Sequence, residues 1–144
     1  MSPNQIFSIA NAVALCCWLL LMVLPGRKWV NRDLAGVAVP AAFAVLYSAI
    51  IAVHFFGSAG GFSSLPDVAL LFSNPWLLLA GWIHYLAFDL LVGSWEARDA
   101  RERGISHLFV VPCLILTFLF GPAGWLLYLG VRSRVPTLAR HSER

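Results

Sequence analysis

Four apolar runs, at about 6–24, 34–56, 75–93 and 108–131, leave this chain few folds to choose from. A helix rises about 1.5 Å per residue, so about 20 apolar residues cross a hydrocarbon core roughly 30 Å thick. Each run reaches or approaches that length. The runs are apolar on nearly every side, as lipid-facing helices are, and short connections join them. The expected fold is therefore all-α, an integral membrane bundle of four transmembrane helices. It forms one domain over residues 1–144, with a basic C-terminal tail at 132–144. Composition agrees: 60% of residues are hydrophobic and 12% charged, where a soluble domain is nearer half and a quarter.

The punctuation between the runs is clear. No Lys or Arg precedes the first run and no A-x-A-type site follows it, which favours an uncleaved span over a signal peptide. Pro25 and Gly26 end it, and Arg27, Lys28 and Arg32 fill the first connection. Pro40 is expected near the first turns of the second span. Residues 57–73 contain GSAGG, SSLP and the patch Val68 to Phe72, which reads as a loop with one interfacial turn. Pro75 sits in a helix-opening position, and the charges from Glu96 to Arg103 carry that helix into water before Gly104 breaks it. In the fourth span, FGPAG places a kink at Pro122, with Gly121 and Gly124 allowing close approach.

Four spans put both termini and the middle loop on one side. Loops one and three hold three Lys or Arg each, against four in the tail (Arg132, Arg134, Arg140, Arg144), so the positive-inside rule favours outside termini. The net charge of +3 lies beside apolar segments, where membrane lipid accounts for it and nucleic acid is not needed. Cys16, Cys17 and Cys113 fall inside apolar runs without metal-ligand spacing and read as small hydrophobes.

Ionisable groups inside a membrane-length run are costly, which turns attention to His84 and Asp89 in the third run. At about 100° per residue, Trp82, Tyr85, Asp89 and Glu96 share one line of the helix. His84 lies with Phe88, Trp95 and Arg98 on another side. His84 and Asp89 therefore act together only through a pocket between helices. Asp89, Glu96, Asp99 and His107 gather with Arg27, Arg32 and Asp33 towards one membrane face, where an acid-base cluster is available. The plain alternative is an ion pair of Asp89 with Arg27, Arg32 or Arg98, and a backbone partner for His84. No Glu-x-x-His or His-x-His spacing supports a metal, and none is assigned.

Over NPWLLLAGWIHYLAFDLLVGSWEARDARERGISHLFVVPCLILTFLFGPAGWLLY the chain resembles the abscisic-acid-deficient-four-like membrane proteins. The W-I-H-x-L-A-x-D core, the later R-D pair and the GP motif carry the likeness. Plant members of that family are linked to forming neoxanthin from violaxanthin in plastid membranes, and bacterial members are many. The resemblance implies a carotenoid or related isoprenoid ligand held within the bundle and a cofactor-independent isomerase chemistry. Opening an epoxide to an allenic alcohol needs an acid at oxygen and a base at carbon. Asp89 as acid and His84 as base, with Trp82, Tyr85, Glu96, Asp99 and His107 around the ligand, is the expectation. The competing expectation is a non-catalytic lipid or pigment carrier, or a scaffold for a membrane enzyme partner or a second copy. The first run begins within a few residues of Met1, with no room for a transit peptide, so a bacterial inner membrane is expected.

Overall fold

The computed structural model describes residues 1–24 and 26–134, and its regular structure there is helical throughout. Pro25 and the tail arginines Arg140 and Arg144 lie outside the described residues. Helix α1 (Pro3–Val23) opens on a capping box: Ser2 Oγ accepts from the Gln5 N–H, and the Ser2 N–H donates to the Gln5 side chain at 2.8 Å. These bonds satisfy donors that a helix start leaves orphaned.

Helix α2 (Trp29–His54) is one rod with two geometries, π-helical over Trp29–Ala38 and α-helical over Val39–His54. It starts five residues before the expected 34, so Pro40 lies well inside it rather than near its opening. In an α-helical turn the Pro40 ring would press on the Gly36 carbonyl. The wider turn, in which the Val39 N–H reaches the Leu34 carbonyl, ends where Pro40 enters. The short α3 (Leu65–Leu71), capped by Ser64 Oγ on the Asp67 N–H at 3.2 Å, is the interfacial turn expected in the middle connection.

Helix α4 (Pro75–Glu102) begins with Asn74 Oδ1 capping the Trp76 N–H at 2.9 Å, and its 28 residues reach about 42 Å. It is longer than the hydrocarbon core is thick, and it continues to Glu102 as expected, but Glu96 is fully buried against α5 rather than carried into water. Gly104, at φ +68°, turns the chain after it. The other long helices pack round α4 in two clusters. Trp18, Leu21, Leu90, Leu114 and Tyr128 fill the Glu102 half, and Ala14, Phe43, Leu79, Ile83 and Leu86 fill the Pro75 half.

The fourth apolar run departs from expectation. Instead of one helix kinked at Pro122, it forms α5 (His107–Phe120) and α6 (Pro122–Arg134), separated by Gly121 at φ +39°. Helix α5 runs antiparallel to α4, with Thr117 against Glu96 and the Phe118 carbonyl 3.4 Å from the Tyr85 hydroxyl. Gly121 then sits against the Asp89 carboxylate, where a Cβ would stand 2.7 Å from Oδ1. Helix α6 turns back: Tyr128 and Arg132 both reach Asp99.

The pair is a hairpin that enters from the Glu102 end and returns to it. Helix α5 has 14 residues, about 21 Å, too short to cross alone. The physical reason is local. Gly121 takes a left-handed φ that other residues avoid, and Gly124 lies so close to the Thr117 backbone that a side chain there would collide with it. Three helices, α1, α2 and α4, are long and apolar enough to span a membrane. They fit an integral membrane protein, while the expected count of four gives way to three long helices and a hairpin. Met1 and Arg134 consequently lie at opposite ends of the bundle, not on one side.

Candidate functional site

Asp89 faces the hairpin. It is half-buried, with Gly121 against it, and its Oδ2 is shielded from solvent without a hydrogen-bond partner among the described residues. Neither Arg27, Arg32 nor Arg98 makes an ion pair with it. Its polar neighbour is Tyr85, one helical turn earlier. Tyr85 in turn ends a groove of about 550 Å³ between the start of α1 and the first turns of α4. Phe7, Phe72, Leu78 and Trp82 line the groove, and its polar edge is small.

The groove's aromatic wall is continuous. Phe7 and Trp82 have ring centroids 5.6 Å apart, and Trp82 and Tyr85 5.3 Å. Trp82 is fixed by an indole N–H donated to Asn11 Oδ1 at 3.0 Å. Rings placed this way offer a broad apolar face at little cost in flexibility. Two of the expected ligand residues, Trp82 and Tyr85, thus come together with Asp89 just beyond them.

His84 lies elsewhere. Five positions from Asp89 is about 140° round the helix. His84 stacks on Phe88 at 4.6 Å and meets Tyr47 at 5.6 Å. It lines a separate cavity of about 260 Å³ with Tyr47, Phe55, Phe62 and Leu77. Among the described cavities none is lined by both His84 and Asp89.

The remaining expected residues hold the fold together at the Glu102 end. Glu96 is fully buried and accepts from the Thr117 hydroxyl at 3.0 and 3.2 Å. Asp99 accepts the Tyr128 hydroxyl at 2.6 Å and stands 2.9 Å from both Arg103 Nε and Arg132 Nε. Arg132 also lies over the Trp95 ring. His107 Nε2 is 2.7 Å from the Met22 carbonyl and ties the start of α5 to the end of α1. These three acids and bases have partners, so the arrangement separates a binding groove from a bracing network. No three of His, Cys, Asp and Glu stand close enough to hold a metal ion among the described residues.

Asn11, Thr117 and Tyr128 were not singled out from the sequence. Asn11 and Thr117 are among the few polar residues within the apolar runs, which was the available signal. Tyr128 gave none, because its partner depends on the hairpin.

Comparison with curated proteins and with solved structures finds no match. The ABA DEFICIENT 4-like family matches residues 5–128, from the first turn of α1 to Tyr128 of α6. The match takes in most of the groove, the Tyr85–Asp89 turn and most of the hairpin, and on that extent the chain belongs to the ABA DEFICIENT 4-like family.

Proposed function

We propose that the groove receives the oxygen-bearing end of an elongated isoprenoid, of the carotenoid class, and that the protein isomerises that end at Tyr85 and Asp89. The observation that carries this reading is the aromatic wall of Phe7, Trp82 and Tyr85, with the Asp89 carboxylate one turn behind Tyr85 and outside the groove's own lining. A volume of about 550 Å³ suits a ring and the first part of a polyene, and the rest of the chain would lie along lipid.

The chemistry would be an isomerisation, with no atom gained or lost overall. A base takes a proton from carbon, the new double bond forms as the carbon–oxygen bond breaks, and an acid returns a proton to oxygen. No oxidant is required. Tyr85 would hold the substrate oxygen and Asp89 would carry the proton. His84 faces another cavity, so in this arrangement Asp89 works with Tyr85 rather than with His84.

The test is mass spectrometry of lipids that co-purify with the protein from a carotenoid-producing host. Wild type and His84→Ala should both hold a carotenoid and yield its isomer. Asp89→Asn should hold it unconverted, and Trp82→Ala should lose it. Pigment bound by every variant and never converted would replace the isomerase with a carrier. Bulk phospholipid alone would overturn the carotenoid reading, and loss of conversion in His84→Ala would overturn the Tyr85–Asp89 assignment.

A further inference from the structure

A second pocket lies at the opposite end of α4, and its chemistry is different. It occupies about 360 Å³ between the start of α2 and the end of α4. Lys28, Arg32, Arg98 and Arg101 line it with Asn31 and a single acid, Glu102. No carboxylate lies within ion-pair distance of any of these four cations among the described residues. On the neighbouring face of α4, by contrast, Asp99 takes both Arg103 and Arg132.

The site is built rather than merely charged. Arg98 is half-buried, and its Nη1 donates to the Asn31 carbonyl at 3.0 Å and to Ser94 Oγ at 2.7 Å. Ser94, fully buried, donates to the same carbonyl at 2.9 Å. This triangle fixes the guanidinium plane. A guanidinium has five N–H donors, so those outside Nη1 remain for a ligand. Gly36 makes room for the arrangement, since a Cβ there would fall 2.6 Å from Arg98 Nη1. Arg101 is likewise anchored, by Nη1 donated to the Gly26 carbonyl at 2.8 Å. Lys28 and Arg32 are exposed at the rim.

We propose that this pocket binds a phosphate group, with Arg98 and Arg101 as its fixed donors and Lys28 and Arg32 as its mobile charges. Guanidinium forks match the paired oxygens of a phosphate, and an ammonium adds a point charge. The pocket sits where α4 leaves its apolar stretch, at the level of lipid headgroups. The phosphate comes either from an anionic lipid or from a soluble phosphorylated molecule. The proposal stands apart from the groove reading and needs no carotenoid.

The test uses the full chain in detergent. Native mass spectrometry counts phosphatidylglycerol retained per chain against phosphatidylcholine with the same acyl chains. Calorimetry follows inorganic phosphate and pyrophosphate against chloride at matched ionic strength. Saturable binding in either assay is expected, weakened about tenfold in Arg98→Gln, as the loss of one charge-assisted hydrogen bond implies. Arg98→Gln also removes a packing contact, so Lys28→Gln with Arg32→Gln is the second variant, and the same direction of change is expected with an unaltered melting temperature. Phosphatidylglycerol retained while the soluble ions fail identifies a headgroup site; binding of the soluble ions identifies a site for a soluble phosphate group. No preference for phosphatidylglycerol together with no saturable phosphate binding, or equal binding by wild type and the double variant, overturns the proposal.

Discussion

The two ends of α4 are held by different forces. At the Pro75 end, aromatic and aliphatic side chains meet by shape, and the cross-helix hydrogen bond from Trp82 to Asn11 joins α4 to α1. At the Glu102 end, Thr117, Tyr128, Arg103 and Arg132 converge on two carboxylates, Arg98 grips the backbone of the first turn of α2 and Arg101 that of the α1–α2 connection. A surface held mainly by shape can open to an apolar guest while breaking few polar bonds. A surface held by a polar network resists displacement. The difference assigns adaptability to one end of the helix and rigidity to the other.

The hairpin sharpens the contrast in charge. All eight described Lys and Arg residues (27, 28, 32, 98, 101, 103, 132 and 134) belong to the Glu102 end, and the Pro75 end has none. The positive-inside rule, divided by a four-span topology, becomes one-sided. On charge alone the rule favours the Glu102 end inside and Met1 outside.

The largest expected effect is all-or-none. A water-borne, membrane-impermeant maleimide applied to intact cells should label Ser2→Cys and leave Ser133→Cys unlabelled, because the hairpin returns Ser133 to the basic end that the rule favours inside. Equal labelling of both would restore a fourth crossing helix and end the comparison. Next in size is Asp99→Asn, which leaves Arg103 and Arg132 facing an uncharged group. It should cost about 1–2 kcal/mol in a thermal or denaturant melt, a modest figure because the cluster is partly open to water. The smallest is Asn11→Ala at the other end. Losing one interhelical hydrogen bond in lipid should cost about 0.6 kcal/mol while the aromatic wall stays in place. If Asn11→Ala destabilised more than Asp99→Asn, the assignment of rigidity to the Glu102 end would be reversed.

Much of this was legible in the residues. Apolar run lengths located α1, α2 and α4, while residues 57–73, read as a loop with one turn, hold the seven-residue α3. The 100° rule put Trp82, Tyr85 and Asp89 on one line and His84 off it, as observed. What the residues concealed depends on contacts far apart in sequence. Residues 108–131 have the length of a span, and only the left-handed Gly121 with the Asp99–Arg132 pairing, 33 residues apart, turns them back. Glu96 and Asp99 looked like free acids because Thr117 and Tyr128 come from that hairpin. The basic pocket was hidden for a similar reason: its cations come from two segments that α2's unusual first turns bring together.

Those first turns of α2 also set a rule about counting. A stretch whose bonds reach five residues instead of four is what an extra residue in an α-helix produces. Deleting one residue between Asn31 and Gly36 would use up the slack that these wide turns hold, tightening them towards α-helix and pressing the Pro40 ring on a carbonyl. The Asn31 carbonyl that anchors Arg98 would be displaced with them. The chain therefore tolerates changes of side chain here more readily than changes of length, and among its relatives insertions and deletions should avoid this segment even where its residues differ.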